Sequence, residues 1–319
     1  MLHLTAGDVN AARLRDARLA GRVVAGVDCL HEGPAPAGVS GDTWFRMRAD
    51  YVVASGWTTG DEALGRLREA DDAIAAADRE DEVVLWFEHD LHCQLLMLRM
   101  LEQLGAVTPR RLSLVCVGEH PDVPSFKSLG DLGVDHIREL FAARPPVTAE
   151  QLHVATRCWA AFTSPDPTAL VDLTLRGQLP FPYLRPALRR WLRQFPATRD
   201  GLSQTERSVL GELGSGTRSR PELFKAVQAR EETPFMTDLV FETWLDALAR
   251  APAALVRETH EGMTITDTGR EVQEGRRDSI DARGIDRWLG GVHLVSSPAP
   301  GRRPVWRWDV ATARMVHHS

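Results

Sequence analysis

The 319-residue chain contains four cysteines, Cys29, Cys93, Cys116 and Cys158, and no two of them form a C-x-x-C pair. Spacing this wide fits neither a disulfide framework nor a thiolate zinc site, so reduced thiols of a cytosolic protein are the plain reading. Long apolar runs are also missing. Nothing approaches the roughly 18 residues expected of a membrane span, and Asp8 interrupts the N-terminus before a signal-peptide core can form. No G-x-S-x-G, P-loop lysine or G-x-G-x-x-G string occurs, which removes the common nucleophile and nucleotide-loop templates. A surplus of cations is absent too. The formal net charge is −6, so the chain as a whole offers no footprint for nucleic acid or an anionic membrane. At 43% hydrophobic and 26% charged, it reads as a soluble cytoplasmic protein with about two domains' worth of residues.

What is present centres on Asp81 to Leu104. Val83 to Phe87 is an unbroken apolar run of the kind that fills a strand buried on both faces. Glu88, His89 and Asp90 follow at once, and then Leu91, Leu95, Leu98, Met100, Leu101 and Leu104 mark the apolar stripe of a helix. A buried strand, a charged corner and an amphipathic helix make one βα unit of an open α/β sheet, where ligands sit outside the carboxyl ends of the strands. Leu2 to Thr5, Arg22 to Val27 and Leu112 to Val117 are further strand candidates, each running out into polar or turn residues.

Those exits supply the candidate site. Gly7 permits a tight turn and Asp8 is a competent N-cap, which makes a helix N-terminus where free N–H groups attract anions. The plainer account is that Asp8 only caps, with a carboxylate that would itself compete with phosphate. The second exit carries Asp28, Cys29, His31 and Glu32 ahead of the rigid Gly33-Pro34 corner. Arg46 and Arg48, on the helix expected from Asp42 to Ser55, are placed to reach over the site as anion holders, although a structural ion pair is the simpler account of each.

From Thr148 onward the pattern becomes helical. A capping box at Thr148 and Gln151 opens one helix, and a short basic helix runs around Leu184 to Gln194. Ser203 with Glu206 opens another, followed by Pro221 to Ala229 and Phe235 to Ala251. A hairpin over Ala254 to Arg257 and Met263 to Ile265, then a helix from Thr266 to Glu274, completes a winged-helix order. The segments around Trp288 and Trp306 to Asp309 read as a closing hairpin. The expected organisation is an open, mostly parallel α/β domain over 1–145, a helical connector over 146–198 and a winged-helix-like domain over 199–319. Gly201 to Ile280 holds 10 Lys and Arg against 14 Asp and Glu. That deficit favours docking on protein, or self-association into a homo-oligomer, over DNA reading.

Three strings carry a family resemblance: Gly7-Asp8, Asp28-Cys29-Leu30-His31-Glu32-Gly33-Pro34, and Leu85-Trp86-Phe87-Glu88-His89-Asp90-Leu91 with Gln94. Together and in this order they resemble the family catalogued as domain of unknown function 1835, over roughly Leu2 to Gly118. The segment from Phe195 to Glu206 and the two Trp segments look like the tail of its longer members. Val9 stands where many members carry serine. The resemblance implies a fold and a motif set, and no reaction.

Two chemistries fit the strand ends. In one, His31, Glu32, Glu88, His89 and Asp90 do acid–base work on a small anionic or phosphorylated ligand held by Gly7, Asp8, Asp28, Gly33, Gln94 and Arg46, as in a hydrolase or transferase. In the other, His31, His89 and a carboxylate bind a divalent metal that activates water. His89 and His92, three apart, share a helix face, which is a weak metal signal by itself. The structural alternative pairs His89 with Asp90 and uses Asp90 as a helix cap. A non-enzymatic regulator, sensing a ligand and signalling through the winged helix, is the competing function.

Overall fold

A computed structural model describes residues 1–250 and 253–318. Strand β1 (Leu2–Ala6) and strand β4 (Val83–Glu88) are buried at every residue, β4 through its apolar run and β1 with His3 and Thr5 buried as well. With β2 (Arg22–Gly26) and β5 (Leu112–Val117) they form a parallel sheet in the order β2-β1-β4-β5. Leu4 lies beside Val24 on one side and Leu85 on the other, and Leu85 beside Leu114. The chain therefore moves from β1 to one neighbour, β2, and then crosses to the other, β4. The carboxyl ends of β1 and β4 flank this topological switch point, where open α/β sheets hold ligands.

Helices cover the sheet. Leu14 and Ala17 at α1 (Gly7–Asp16), and Ile137 of α5 (Val134–Ala143), pack with Val84, Trp86 and Val115 in one buried cluster. Further helices are α2 (Gly41–Ala54), α3 (Gly60–Ala75) and α4 (Leu91–Val107), after the two-residue strand β3 (Gly33–Pro34). Eleven of the 17 residues of α4 are buried, because α3, α6 (Ala149–Thr163) and the sheet all pack against it. The expected capping role of Asp8 is corrected. Gly7, at φ +72°, turns the chain at once, so α1 begins there, behind an Ala6 that has no capping side chain. Asp8 falls inside the first turn. Asp90 does cap α4, accepting the Cys93 N–H at 3.0 Å.

The chain divides into two compact units, Met1–Leu188 and Arg189–Ser319. After α7 (Thr168–Arg176) and α8 (Leu184–Leu192), the second unit runs through α9 (Gln204–Leu213), α10 (Arg220–Gln228) and α11 (Asp238–Ala249). The Ser203/Glu206 capping box forms as expected. Helix α11 starts at its Thr237 cap, and Ala251, its expected end, lies outside the described residues. Then come the antiparallel wing β6 (Val256–Thr259) and β7 (Gly262–Ile265), and α12 (Asp267–Gln273). A bridge between Arg218 and Met263 adds a third short edge to the wing. Past α13 (Ser279–Arg283), the expected closing hairpin is two. β8 (Ile285–Gly290) pairs with β9 (Val292–Ser296), and β10 (Val305–Asp309) pairs with β11 (Arg314–His318). Two separate turns explain the difference: Gly290, at φ +59°, reverses the first pair, and Asp309 accepts the Ala311 N–H in the second. Among the described residues no helix is long and apolar enough to cross a membrane.

Candidate functional site

The two ends of β4 hold buried carboxylates with opposite character. Glu82, just before the strand, accepts two bonds from Arg144 and one from Ser113, each at 2.8 Å. Those bonds hold its carboxyl down at about 2, so Glu82 is a structural anion. Glu88, at the carboxyl end, has no guanidinium partner among the described hydrogen bonds. Burial raises its carboxyl to about 7, against bonds from the Leu129 N–H, Cys93 and Asn10 that pull the other way. A carboxyl balanced between its two forms near neutral pH is suited to proton transfer.

The fixing of Glu88 crosses the switch point. Asn10, buried on α1 after β1, stands beside its carboxylate and favours the charged form. The Cys93 thiol donates to Oε2 at 3.4 Å, from the first turn of α4. Gln94 is fully buried, and its Nε2 donates to the Glu88 backbone carbonyl at 2.5 Å and to Cys116 Sγ at 3.5 Å. Its Oε1 is buried without a hydrogen-bond partner. Asn10 was absent from the sequence-derived set. The glycine turn that starts α1 at residue 7 also rotates residue 10 inward.

The loop after β2 is organised by Arg48, which is completely buried. Its Nε donates to Asp28 at 2.8 Å, and its Nη atoms donate to the carbonyls of Glu32 at 2.7 Å, Cys29 at 2.9 Å and Pro34 at 3.1 Å. Gly33 closes the corner at φ +75°, where a Cβ would meet the Tyr51 ring at 2.5 Å, so a side chain is excluded both by conformation and by space. Held this way, Cys29 Sγ lies 3.3 Å from His31 Nε2, and His31 meets the edge of the His92 ring with centroids 5.7 Å apart. Burial pushes the Cys29 thiol well up, reinforced by the neighbouring Glu32 carboxylate.

His31 is thus joined to Cys29 and His92. His89 packs instead against Phe126 and Tyr183, at centroid distances of 6.0 and 5.9 Å. Burial lowers the pKa of its imidazole, and its Nδ1 is enclosed without a partner, so the anticipated His89–Asp90 hydrogen bond is not formed through that nitrogen. Arg46 is exposed, and the guanidinium that reaches the loop belongs to Arg48. Asp8 is exposed and paired with Arg66 at 2.6 Å. Gly7 has open space where a side chain would stand. Most of the cluster is buried, with Cys29, His89 and His92 as its half-exposed members. A groove of about 650 Å³ lined by Arg157, Ala160, Leu173 and Arg176 involves none of these residues.

Compared with known proteins, the chain matches no protein-family model and no curated protein.

Proposed function

We propose that the carboxyl ends of β1 and β4 form the active site of a hydrolase or transferase acting on a small anionic or phosphorylated ligand, with Glu88 as its proton-transfer group. The observation that carries this reading is the placement of Glu88 at the switch point, held there by the Leu129 N–H and the Cys93 thiol. An anionic ligand is supported by the start of α1, whose first-turn N–H groups face no capping side chain. Arg66 stands beside that turn on Asp8, and a ligand anion would compete for the same guanidinium. The resemblance to the domain of unknown function 1835 family belongs to the same proposal and rests on the motif strings. The test is turnover of a panel of phosphate mono- and diesters by wild type and Glu88→Gln. Loss of general acid–base catalysis should slow the reaction by about 10²–10⁴-fold at nearly unchanged KM; equal rates in the two proteins would remove Glu88 from the chemistry.

One observation favours a second reading, a ligand-sensing regulator whose winged helix docks on a protein. Of the three basic residues that would face DNA, two are already neutralised and Lys225 is exposed. Arg218 pairs with Glu212, and Arg220 pairs with Glu242, Asp246 and Glu258. Duplex DNA should therefore show no salt-dependent retention of the protein. A linear fall of log K with log salt, the signature of phosphate neutralisation, would contradict this.

A further inference from the structure

Three groups of metal-type side chains come together among the described residues: Glu88/Asp90/Cys93, His120/Asp122/His136 and Cys29/His31/His92. The first is already occupied. Asp90 caps α4, and Glu88 takes the Leu129 N–H and the Cys93 thiol. In the second, the Asp122 N–H donates to His120 Nδ1 and the Gly133 N–H donates to His136 Nδ1, both at 3.3 Å. Each neutral ring therefore carries its proton on Nε2, and His136 Nε2 turns it towards Asp122 at 3.6 Å. Binding a metal through those Nε2 atoms would require the proton to move onto Nδ1, where a backbone donor already points. This group is a hydrogen-bonded cluster.

The third differs at His92. Among the described residues, no hydrogen bond occupies a ring nitrogen of His92. The loop that carries Cys29 and His31 is fixed by the buried Arg48 fork, so two of the three groups are preorganised by the fold. We propose that Cys29, His31 and His92 form a zinc site with one open coordination position. Their donor atoms all lie within 4.8 Å of one another, and the Cys29–His31 pair is at 3.3 Å. Zinc–sulfur and zinc–nitrogen bonds in a tetrahedron set donor atoms about 3.5 Å apart. His31 and Cys29 are thus at bonding separation, and His92, half-exposed on the first turn of α4, closes the remainder by a side-chain adjustment.

A zinc ion with the Cys29 thiolate would add one positive charge beside the buried Asp28 and Glu32 side chains. The thiol proton leaves to solvent on binding, as metal–thiolate formation requires. A soft sulfur with two imidazoles selects zinc over the hard cations that take oxygen ligands. Three protein ligands with a free fourth position is the arrangement in which zinc presents a water to a substrate. Such a use rests on the acid–base reading above, whereas the binding itself does not.

The experiment is equilibrium dialysis of the full chain against zinc with metal analysis, together with cobalt(II) spectroscopy, on wild type, Cys29→Ser, His92→Ala, His92→Cys and His120→Ala. Wild type and His120→Ala should hold one zinc per chain and show a sulfur-to-cobalt charge-transfer band. Cys29→Ser should lose the band, and it and His92→Ala should each bind zinc about 100-fold more weakly or worse, since even outer-shell changes cost 10–100-fold. His92→Cys should restore binding by offering a second thiolate. Because His92 is half-exposed, His92→Ala should melt with wild type, which separates ligand loss from unfolding. The site is overturned if wild type binds no more zinc than Cys29→Ser, or if His120→Ala loses the metal while His92→Ala keeps it. A zinc-free protein whose turnover still collapses in Glu88→Gln would sink this site alone and leave the acid–base reading standing.

Discussion

Arg48→Met should destabilise the protein by about 3–5 kcal/mol, the range found when one partner of a buried ion pair is removed and the other stays behind. The guanidinium is fully enclosed, and its bonds go to the Asp28 carboxylate and the carbonyls of Cys29, Glu32 and Pro34. Methionine fills similar volume but leaves a carboxylate and three carbonyls facing a dry cavity. Arg48→Lys should recover little, because one ammonium on a flexible stem cannot reproduce a planar fork of donors. Adding Asp28→Asn to Arg48→Met should return part of the loss, since it removes the stranded charge and leaves only the carbonyls unmet. Urea melts measure all three. A loss below about 1 kcal/mol for Arg48→Met, within reach of an ordinary surface pair, would mean the loop is held by something else, and that Cys29 and His31 are not preorganised.

Arg48 also shows how much of the site could be seen beforehand. The residues of α2 that face inward are Trp44, Phe45, Arg48 and Ala49, a stripe at helical spacing. That stripe places Arg48 inside and Arg46 outside, and the structural ion pair expected as the simpler account of Arg48 is formed with Asp28. The four parallel strands were legible because buried strands with polar exits have little other reading. Their order was not, since nothing in a strand's own residues states its neighbour. His89 and His92 illustrate the remaining limit. Both flank the Asp90 cap, but His89 belongs to the turn and faces Tyr183, whereas His92 is already on α4 and meets His31. Cys29 was set aside for lacking a nearby second cysteine. Its partners include a histidine 63 positions later, and no local spacing records such a meeting. In the second unit the charge deficit of the wing was countable, and the structure adds which acids neutralise Arg218 and Arg220.

Glu88→Gln should raise stability at alkaline pH while it abolishes proton transfer, and the pH dependence fixes the sign. In the unfolded chain this carboxyl ionises near its ordinary 4.5, and in the folded protein near 7. Below pH 4.5 both states hold the proton and no penalty exists. Between 4.5 and 7 the native state keeps a proton that the unfolded chain has released, so stability falls as pH rises; above 7 the loss is complete. At 1.36 kcal/mol for each pKa unit, the full penalty is about 3 kcal/mol. Glutamine mimics the protonated carboxyl and still accepts the Leu129 N–H, so it escapes most of that penalty. The variant should melt close to wild type at pH 4.5 and progressively later than wild type up to pH 8, with turnover reduced throughout. Glu82→Gln provides the opposite sign. Its carboxyl is held at about 2 by Arg144 and Ser113, so the wild-type side chain contributes stability at neutral pH that is lost only as pH falls towards 2, and glutamine should lower the melting temperature at pH 7. Two substitutions at the two ends of one strand therefore separate a strained carboxyl from a structural one. Should Glu88→Gln melt no later than wild type at pH 8, burial is not straining this carboxyl, and its role as the acid–base group fails with that strain.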